Sequence, residues 1–263
     1  MIVYIQCIDN IPAFDFAMAC YEGALKMGMK IIKFEKIDEV PANKNNLVVA
    51  CIEDTLIYLN KINGRVPEAL NIFSLFDKDL LNRKHFTYTL QELFDYPDQI
   101  KNFMKVQEFF IKPLYETKAF ASGVIKDLKN LPLILSDYKG SKNIEVLVTK
   151  TVDIVSEYRV FVRRNRPEKI SGMKHYSGDF FVYPNKEFII KCINHLTKYT
   201  DFPASYTLDI GILSNGETII VELNDGWSCG NYGLDGETYL KFYLDRWKQL
   251  MGPEIVQPDH YQQ

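Results

Sequence analysis

The residues with the clearest chemistry lie in one stretch, DIGILSNGETIIVELND, from Asp209 to Asp225. Asn215-Gly216 is the strongest short signal for a two-residue hairpin turn, because both residues accept the positive φ of a type I′ turn. That turn pairs Ser214 with Glu217 and sets Asp209 directly opposite Glu222. Alternation then sends Leu208, Ile210, Ile212, Ile219, Val221 and Leu223 to one face. Thr207, Asp209, Gly211, Glu222 and Asn224 go to the other. Opposed carboxylates have Cβ atoms about 5 Å apart, and their repulsion is on the order of 3 kcal/mol at an effective dielectric of about 20. Two readings are open. Either water screens a solvated outer face, or a cation lies between the carboxylates, with the Asn224 amide oxygen as a third hard ligand of the kind Mg²⁺ takes.

Three further segments carry groups that could share a site with this hairpin. FFIKP places Lys112 at the end of an apolar strand, held extended by the following Pro113. ETKAFASGV carries Lys118 and Gly123 in a loop of small residues that could approach an anion closely. SEYRVFV alternates, with Tyr158, Val160 and Val162 on one side and Glu157, Arg159 and Phe161 on the other. Singly, each has a structural explanation: strand lysines snorkel, and a Glu-x-Arg pair on a surface is worth under about 1 kcal/mol. Together they supply cations for phosphates, an acceptor for ribose and a carboxylate-rich metal site. Those are the needs of a nucleoside triphosphate.

The elements that must position these residues change style along the chain. IVYIQCI, KIIKF and NLVVACI read as strands, and Phe16–Met27 and Asp54–Ile62 as helices, which predicts a small parallel α/β unit. No G-x-G-x-x-G follows the first strand, so a dinucleotide-binding Rossmann unit is not expected. Residues 63–105 are aromatic-rich, and Phe73, Phe76, Phe86, Tyr88, Phe94 and Tyr96 read as packing. From Glu108 onward FFIKP, IEVLVTKTV, EYRVFV and the hairpin read as antiparallel strands, with a helix over Lys186–Tyr199. That pattern is α+β, with a boundary between Leu90 and Met104.

Bulk properties narrow the class. The chain has 263 residues, 47% hydrophobic and 25% charged, enough for a sizeable core. A net charge of −3 gives no reason to expect nucleic acid as the main partner. Five scattered cysteines without a C-x-x-C pair read as reduced, buried small hydrophobes, with Cys229 alone in a polar Gly-rich loop. The four histidines form no zinc pattern. No stretch approaches a membrane span and the N-terminus lacks a signal-peptide pattern, so a cytoplasmic location is expected.

From about Glu108 to Leu234 the sequence resembles the ATP-grasp superfamily. Its strongest part is an aspartate on one strand and a Glu-x-Asn on the next, here Asp209 and Glu222-Leu223-Asn224, which in the family hold the Mg²⁺ ions bridging the ATP phosphates. Lys112 matches the phosphate-binding lysine, KAFASG the mobile loop over the phosphates, and VLVTKTV the adenine-binding linker. Lys150 and Val152 in that linker and Glu157 at the ribose or phosphate position complete the implied nucleotide contacts. Many members have an acidic residue in the linker, where this chain reads Thr149-Lys150. Lys112, Lys118 and Arg159 together resemble the clade named for one arginine and two lysines, as does the tail DGWSCGNYGLD.

The resemblance implies an α+β ATP-grasp fold, two lobes with ATP between them, preceded by a small α/β pre-ATP-grasp domain. The expected divisions are 1–95 for the preceding domain and 96–252 for the ATP-grasp domain, with lobes 96–148 and 153–252, a linker at 148–152 and a tail at 253–263. The implied activity is a carboxylate–amine ligase working through an acyl phosphate, with ATP and Mg²⁺, and with small-molecule or peptide carboxylates and amines as partners. Catalytic roles fall on Arg159, forking onto the γ-phosphate or acyl phosphate, and Lys118. The acceptor is expected near Gly226–Tyr232, bordered by Lys174 or Tyr176, with Trp227 and Tyr232 as stacking surfaces or as packing. Another ATP-dependent phosphotransferase and a non-catalytic ATP-binding module are the competing expectations.

Overall fold

Apolar, β-branched runs build the first sheet. The computed structural model describes residues 1–68, 70–81, 85–114, 120, 122–126, 131–136, 138–178 and 181–252. Strand β1 (Ile2–Ile8) pairs in antiparallel fashion with the short β2 (Ile11–Pro12) and in parallel with β3 (Lys30–Phe34) and β4 (Asn46–Val49). The crossover to β3 is helix α1 (Asp15–Lys26), and α2 (Ile52–Lys61) follows β4. NLVVACI stops being a strand at Val49 because Cys51 caps α2, its Sγ accepting from the Asp54 N–H. The expected parallel α/β unit is therefore present.

Two short helices, α3 (Ile72–Leu75) and α4 (Lys78–Leu81), lead to a second sheet. It contains β5 (His85–Thr89), β6 (Phe109–Pro113), β7 (Gly123–Ile125) and β8 (Glu145–Lys150), in the order β5-β8-β6-β7. Helices α5 (Leu90–Asp95) and α6 (Pro97–Met104) lie between β5 and β6, and α7 (Leu131–Ile134) precedes β8. A division at residue 95 would separate β5 from its partner. His85 pairs with Thr149 and Thr89 with Glu145, so the second sheet starts upstream of the expected boundary.

The third sheet follows, with β9 (Ile154–Arg163), β10 (Ile170–Ser177), β11 (Ser205–Leu213) and β12 (Thr218–Asp225) in the order β10-β9-β11-β12. Helix α8 (Lys186–Leu196) covers one face, packing Ile189, Cys192 and Ile193 with Val160, Val162, Leu208 and Ile210. The last helix, α9 (Gly236–Met251), packs Tyr239 and Phe242 around Phe161. It also lies along α1, where Gly23 meets Gly236 so closely that a Cβ at either would strike the other helix's backbone. Trp247 Nε1 donates to the Asn46 carbonyl at 2.7 Å and the Tyr243 hydroxyl to the Val48 carbonyl at 3.0 Å. The core of residues 1–62 thus includes the C-terminal helix, and the expected preceding domain is not closed by its own residues. The expected tail, 253–263, lies outside the described residues.

The β11–β12 hairpin sets the site's register by a route that alternation does not predict. Leu213, not Ser214, pairs with Glu217, through Leu213 N–H to the Glu217 carbonyl at 2.8 Å. Gly216 alone of the turn residues has positive φ (+85°), closing a three-residue loop on a type I turn. Ile210 faces Ile220, and a bulge then inserts Val221 before Asp209 meets Glu222. The one-residue shift at the turn and the bulge cancel. Asp209 is opposite Glu222 as expected, but Ile220 takes the core position expected for Val221.

Candidate functional site

A cavity of about 330 Å³ opens between the second and third sheets. Lys112 from β6, Lys150 and Val152 at the crossing from β8 to β9, Glu157 from β9 and Glu222 from β12 all line it. Five residues expected from sequence to touch nucleotide or metal therefore share one space. Thr149, Ile154, Leu147 and Phe110 supply further wall, mostly apolar, as a planar base requires. Phe73 and Val221 also line it. Phe73 reads from sequence as packing and Val221 as core. Helix α3 and the β12 bulge bring them here. Lys118 lies outside the described residues.

The metal-ligand candidates adjoin this cavity. Asn224 Nδ2 lies 3.3 Å from Asp209 Oδ2 and 3.5 Å from Glu222 Oε2, so the three side-chain heads converge. Lys112 Nζ is 3.9 Å from Glu222 Oε1, an ion pair across the two sheets. A positive N–H edge between two carboxylates marks the point where a hard cation would sit, and the donor set of two carboxylates and an amide suits magnesium. Asp209 is nevertheless committed elsewhere.

Arg159, its partner on β9, grips it with Nε to Oδ1 at 2.8 Å and Nη2 to Oδ2 at 2.6 Å. Side-chain exposures of 8% and 2% make this a buried pair. Burial pushes the Asp209 carboxyl up from its ordinary value, and the charges of Glu222 and Glu157 add to that, while Arg159 pulls it back. Burial alone would lower the Arg159 pKa, but the hydrogen bonds and charge of Asp209 outweigh it and raise the value. Opposed carboxylates across β11 and β12 are thus tolerated because a guanidinium on the next strand balances one of them.

This changes the geometry expected for Arg159. Its fork faces Asp209, and Nη1 donates to the Gly230 carbonyl at 3.3 Å. Three of the five N–H groups are engaged, leaving one edge rather than the fork for an anion. The Tyr232 ring lies 4.4 Å from the guanidinium carbon and the Tyr176 ring 5.8 Å, with the two rings stacked at 4.9 Å. Tyr232 holds a positive φ (+43°), which costs a bulky residue free energy and persists where its surroundings fix it. Burial, with the Asp209 charge adding to it, raises the Tyr176 phenol above its ordinary value. Lys174 pairs with Arg159 from β10.

The 226–235 loop resolves the aromatic alternatives. Trp227 is buried in the core, whereas Tyr232 is 44% exposed beside Arg159. Asp15, at the start of α1, accepts from the Asn231 N–H at 3.1 Å and so fastens this loop to the first unit. Nothing in the sequence marks Asp15, because its partner is 216 residues away. Cys229 is buried, and burial pushes its thiol up to about 12, which removes it as a nucleophile. A second cavity, about 560 Å³, lies between residues 65–75 and 198–203 beside the Asp225–Arg246 pair and holds none of the expected site residues. Among the described residues no helix is long and apolar enough to cross a membrane.

A family model for an ATP-grasp domain, family 2 of the clade named for one arginine and two lysines, matches residues 83–242, more than half of the chain. Comparison with curated proteins gives no match. Among solved structures, the chain is similar to D-alanyl-alanine synthetase A from Vibrio cholerae, with a TM-score of 0.61 at 13% identity, covering 95% of this chain and 98% of that one. It is similar to an ATP-grasp RimK domain protein from Sphaerobacter thermophilus, at 0.59 and 11%, covering 93% and 100%. It is also similar to the D-cycloserine synthetase DcsG, at 0.58 and 10%, covering 95% and 100%. At these identities the likeness is one of fold.

Proposed function

The chain belongs to family 2 of the one-arginine, two-lysine clade of ATP-grasp domains, and on that footing we propose that it is an ATP-dependent carboxylate–amine ligase. A substrate carboxylate oxygen attacks the γ-phosphorus of ATP, giving an acyl phosphate and ADP. An amine then attacks the acyl carbon, inorganic phosphate leaves, and the amine loses a proton. The observation that carries this reading is Glu222, which lines the nucleotide-sized cavity and also meets Asp209 and Asn224. A phosphate chain entering along Lys112 would therefore end at the carboxylates.

The chain's own residues divide the work. Lys112 exchanges Glu222 for phosphate oxygens, and Lys118 is the second phosphate lysine by its place in the motif. The Lys150–Val152 crossing holds the base through its backbone, with Thr149-Lys150 where other members have an acid. Glu157 accepts from the ribose. Asp209, Glu222 and Asn224 are the residues that would hold magnesium, whose charge neutralises phosphate oxygens when bound. Arg159 acts through its remaining edge and its charge, beside Tyr176 and Tyr232, where the acceptor is placed. Phosphoryl transfer needs such positioning and charge more than a protein nucleophile. Both substrates are small-molecule or peptide in class, and the five free cysteines suit a cytoplasmic setting.

The experiment is ADP release measured with panels of carboxylates and amines. Release that needs both substrates, with an amide product detected by mass, is expected. Release with a hydroxyl acceptor and no amine would make the protein a phosphotransferase, and no release under any pair would make it a binding module.

A further inference from the structure

Thr207 occupies the β11 position that faces Asn224 on β12. It is fully buried, and its hydroxyl makes no hydrogen bond among the described residues. Its other cross-strand neighbour is Phe161, whose side chain offers neither acceptor nor donor. A hydroxyl withdrawn from water and left unpaired costs free energy, and valine would fill the same volume without that cost. Thr207 and Asp209 share a face, because the pairing of β11 and β12 is regular from Tyr206 to Asp209. The unpaired hydroxyl therefore lies beside the convergent side chains.

Asn224 is the group it can serve. Its Nδ2 is aimed at the two carboxylates. An amide that ligates a hard cation offers its oxygen. Its nitrogen must then turn away from the carboxylates, and a buried NH₂ needs another acceptor. Partners directly across antiparallel strands have Cβ atoms about 4.5–5.5 Å apart, within reach of a small side-chain rotation. We propose that Thr207 is a positioning residue for Asn224, its Oγ1 accepting the amide N–H while the amide oxygen faces a divalent cation. This rests on the magnesium reading above. Partners of this kind fix a ligand's orientation, and losing one typically costs about 10- to 100-fold in metal affinity.

The test is calorimetric titration of the full chain with a non-hydrolysable ATP analogue, in Mg²⁺ and in EDTA, for the parent, Thr207→Val and Thr207→Ser. Thr207→Val is expected to lose at least about 10-fold in affinity with Mg²⁺ and to match the parent in EDTA. It should melt at or above the parent without ligand, since it removes an unpaired buried hydroxyl. Thr207→Ser should restore the Mg²⁺-dependent affinity. A Thr207→Val protein within about twofold of the parent in Mg²⁺, or one weakened equally with and without the metal, overturns the inference while leaving the ligase reading intact. A parent whose affinity ignores Mg²⁺ overturns the metal reading itself, and the role of Thr207 with it.

Discussion

Neutralising Asp209 decides which charge governs this point of the sheet. Against Glu222 alone, Asp209→Asn would relieve repulsion on the order of 3 kcal/mol at an effective dielectric of about 20, less after screening of the half-exposed Glu222. That reasoning gives a metal-free protein equally or more stable. Arg159 reverses the sign. Its two hydrogen bonds to Asp209, at 2.8 and 2.6 Å, join side chains that are 8% and 2% exposed. Removing one member of a buried pair leaves the other charge uncompensated and costs about 3–5 kcal/mol. The carbonyl of the substituted asparagine would still accept one bond, which favours the lower end, about 3 kcal/mol. At roughly 2–4 °C per kcal/mol for a chain of this size, the melting temperature should fall by roughly 6–12 °C. The assay is thermal and urea unfolding in EDTA. Arg159→Met should cost a similar amount, and Arg159→Met with Asp209→Leu less than the two single changes together, because apolar groups can replace a buried pair at little cost. An Asp209→Asn protein as stable as the parent would refute the primacy of the Arg159 pair.

Lys112→Met should abolish binding of an ATP analogue while changing stability by under about 1 kcal/mol, because its partner Glu222 is 46% exposed and such pairs contribute little; calorimetry and melts read the two effects separately. Cys229, buried and with its thiol pushed up to about 12, should resist alkylation in the native protein at about pH 8, with Cys51 the most accessible of the five; mass spectrometry of brief iodoacetamide labelling checks this, and rapid modification of Cys229 would contradict it.

The site was legible in sequence where local chemistry specifies geometry. Lys112 is fixed by Pro113, and the Glu157–Arg159–Phe161 face by simple alternation, with Phe161 buried under α9 as its apolar character demands. The hairpin shows the limit of such reading. Ile219, Ile220 and Val221 are all apolar, so alternation cannot say which one a bulge displaces. Leu213 and Ser214 are equally able to close the turn, and the correct facing of Asp209 and Glu222 came from two offsets that cancel. The pairing of β9 with β11 is a matter of topology, not of any local signal, so the grip of Arg159 on Asp209 was hidden although both residues were singled out. The same holds for β5, whose HFTYT becomes a strand by pairing with the distant β8, and for α9, which closes the core of the first sheet.

The most direct test of the central claim, that ATP occupies the cavity between the second and third sheets with its phosphates directed at Asp209, Glu222 and Asn224, is protection of the parent against thermal unfolding by a non-hydrolysable ATP analogue, with and without Mg²⁺. Stabilisation scales as RT ln(1 + [L]/Kd), so an analogue at about 100 times its Kd should add about 2.7 kcal/mol, and most of that gain should vanish in EDTA. An analogue at millimolar concentration that leaves the melting temperature unchanged, or a shift that survives EDTA undiminished, would contradict it.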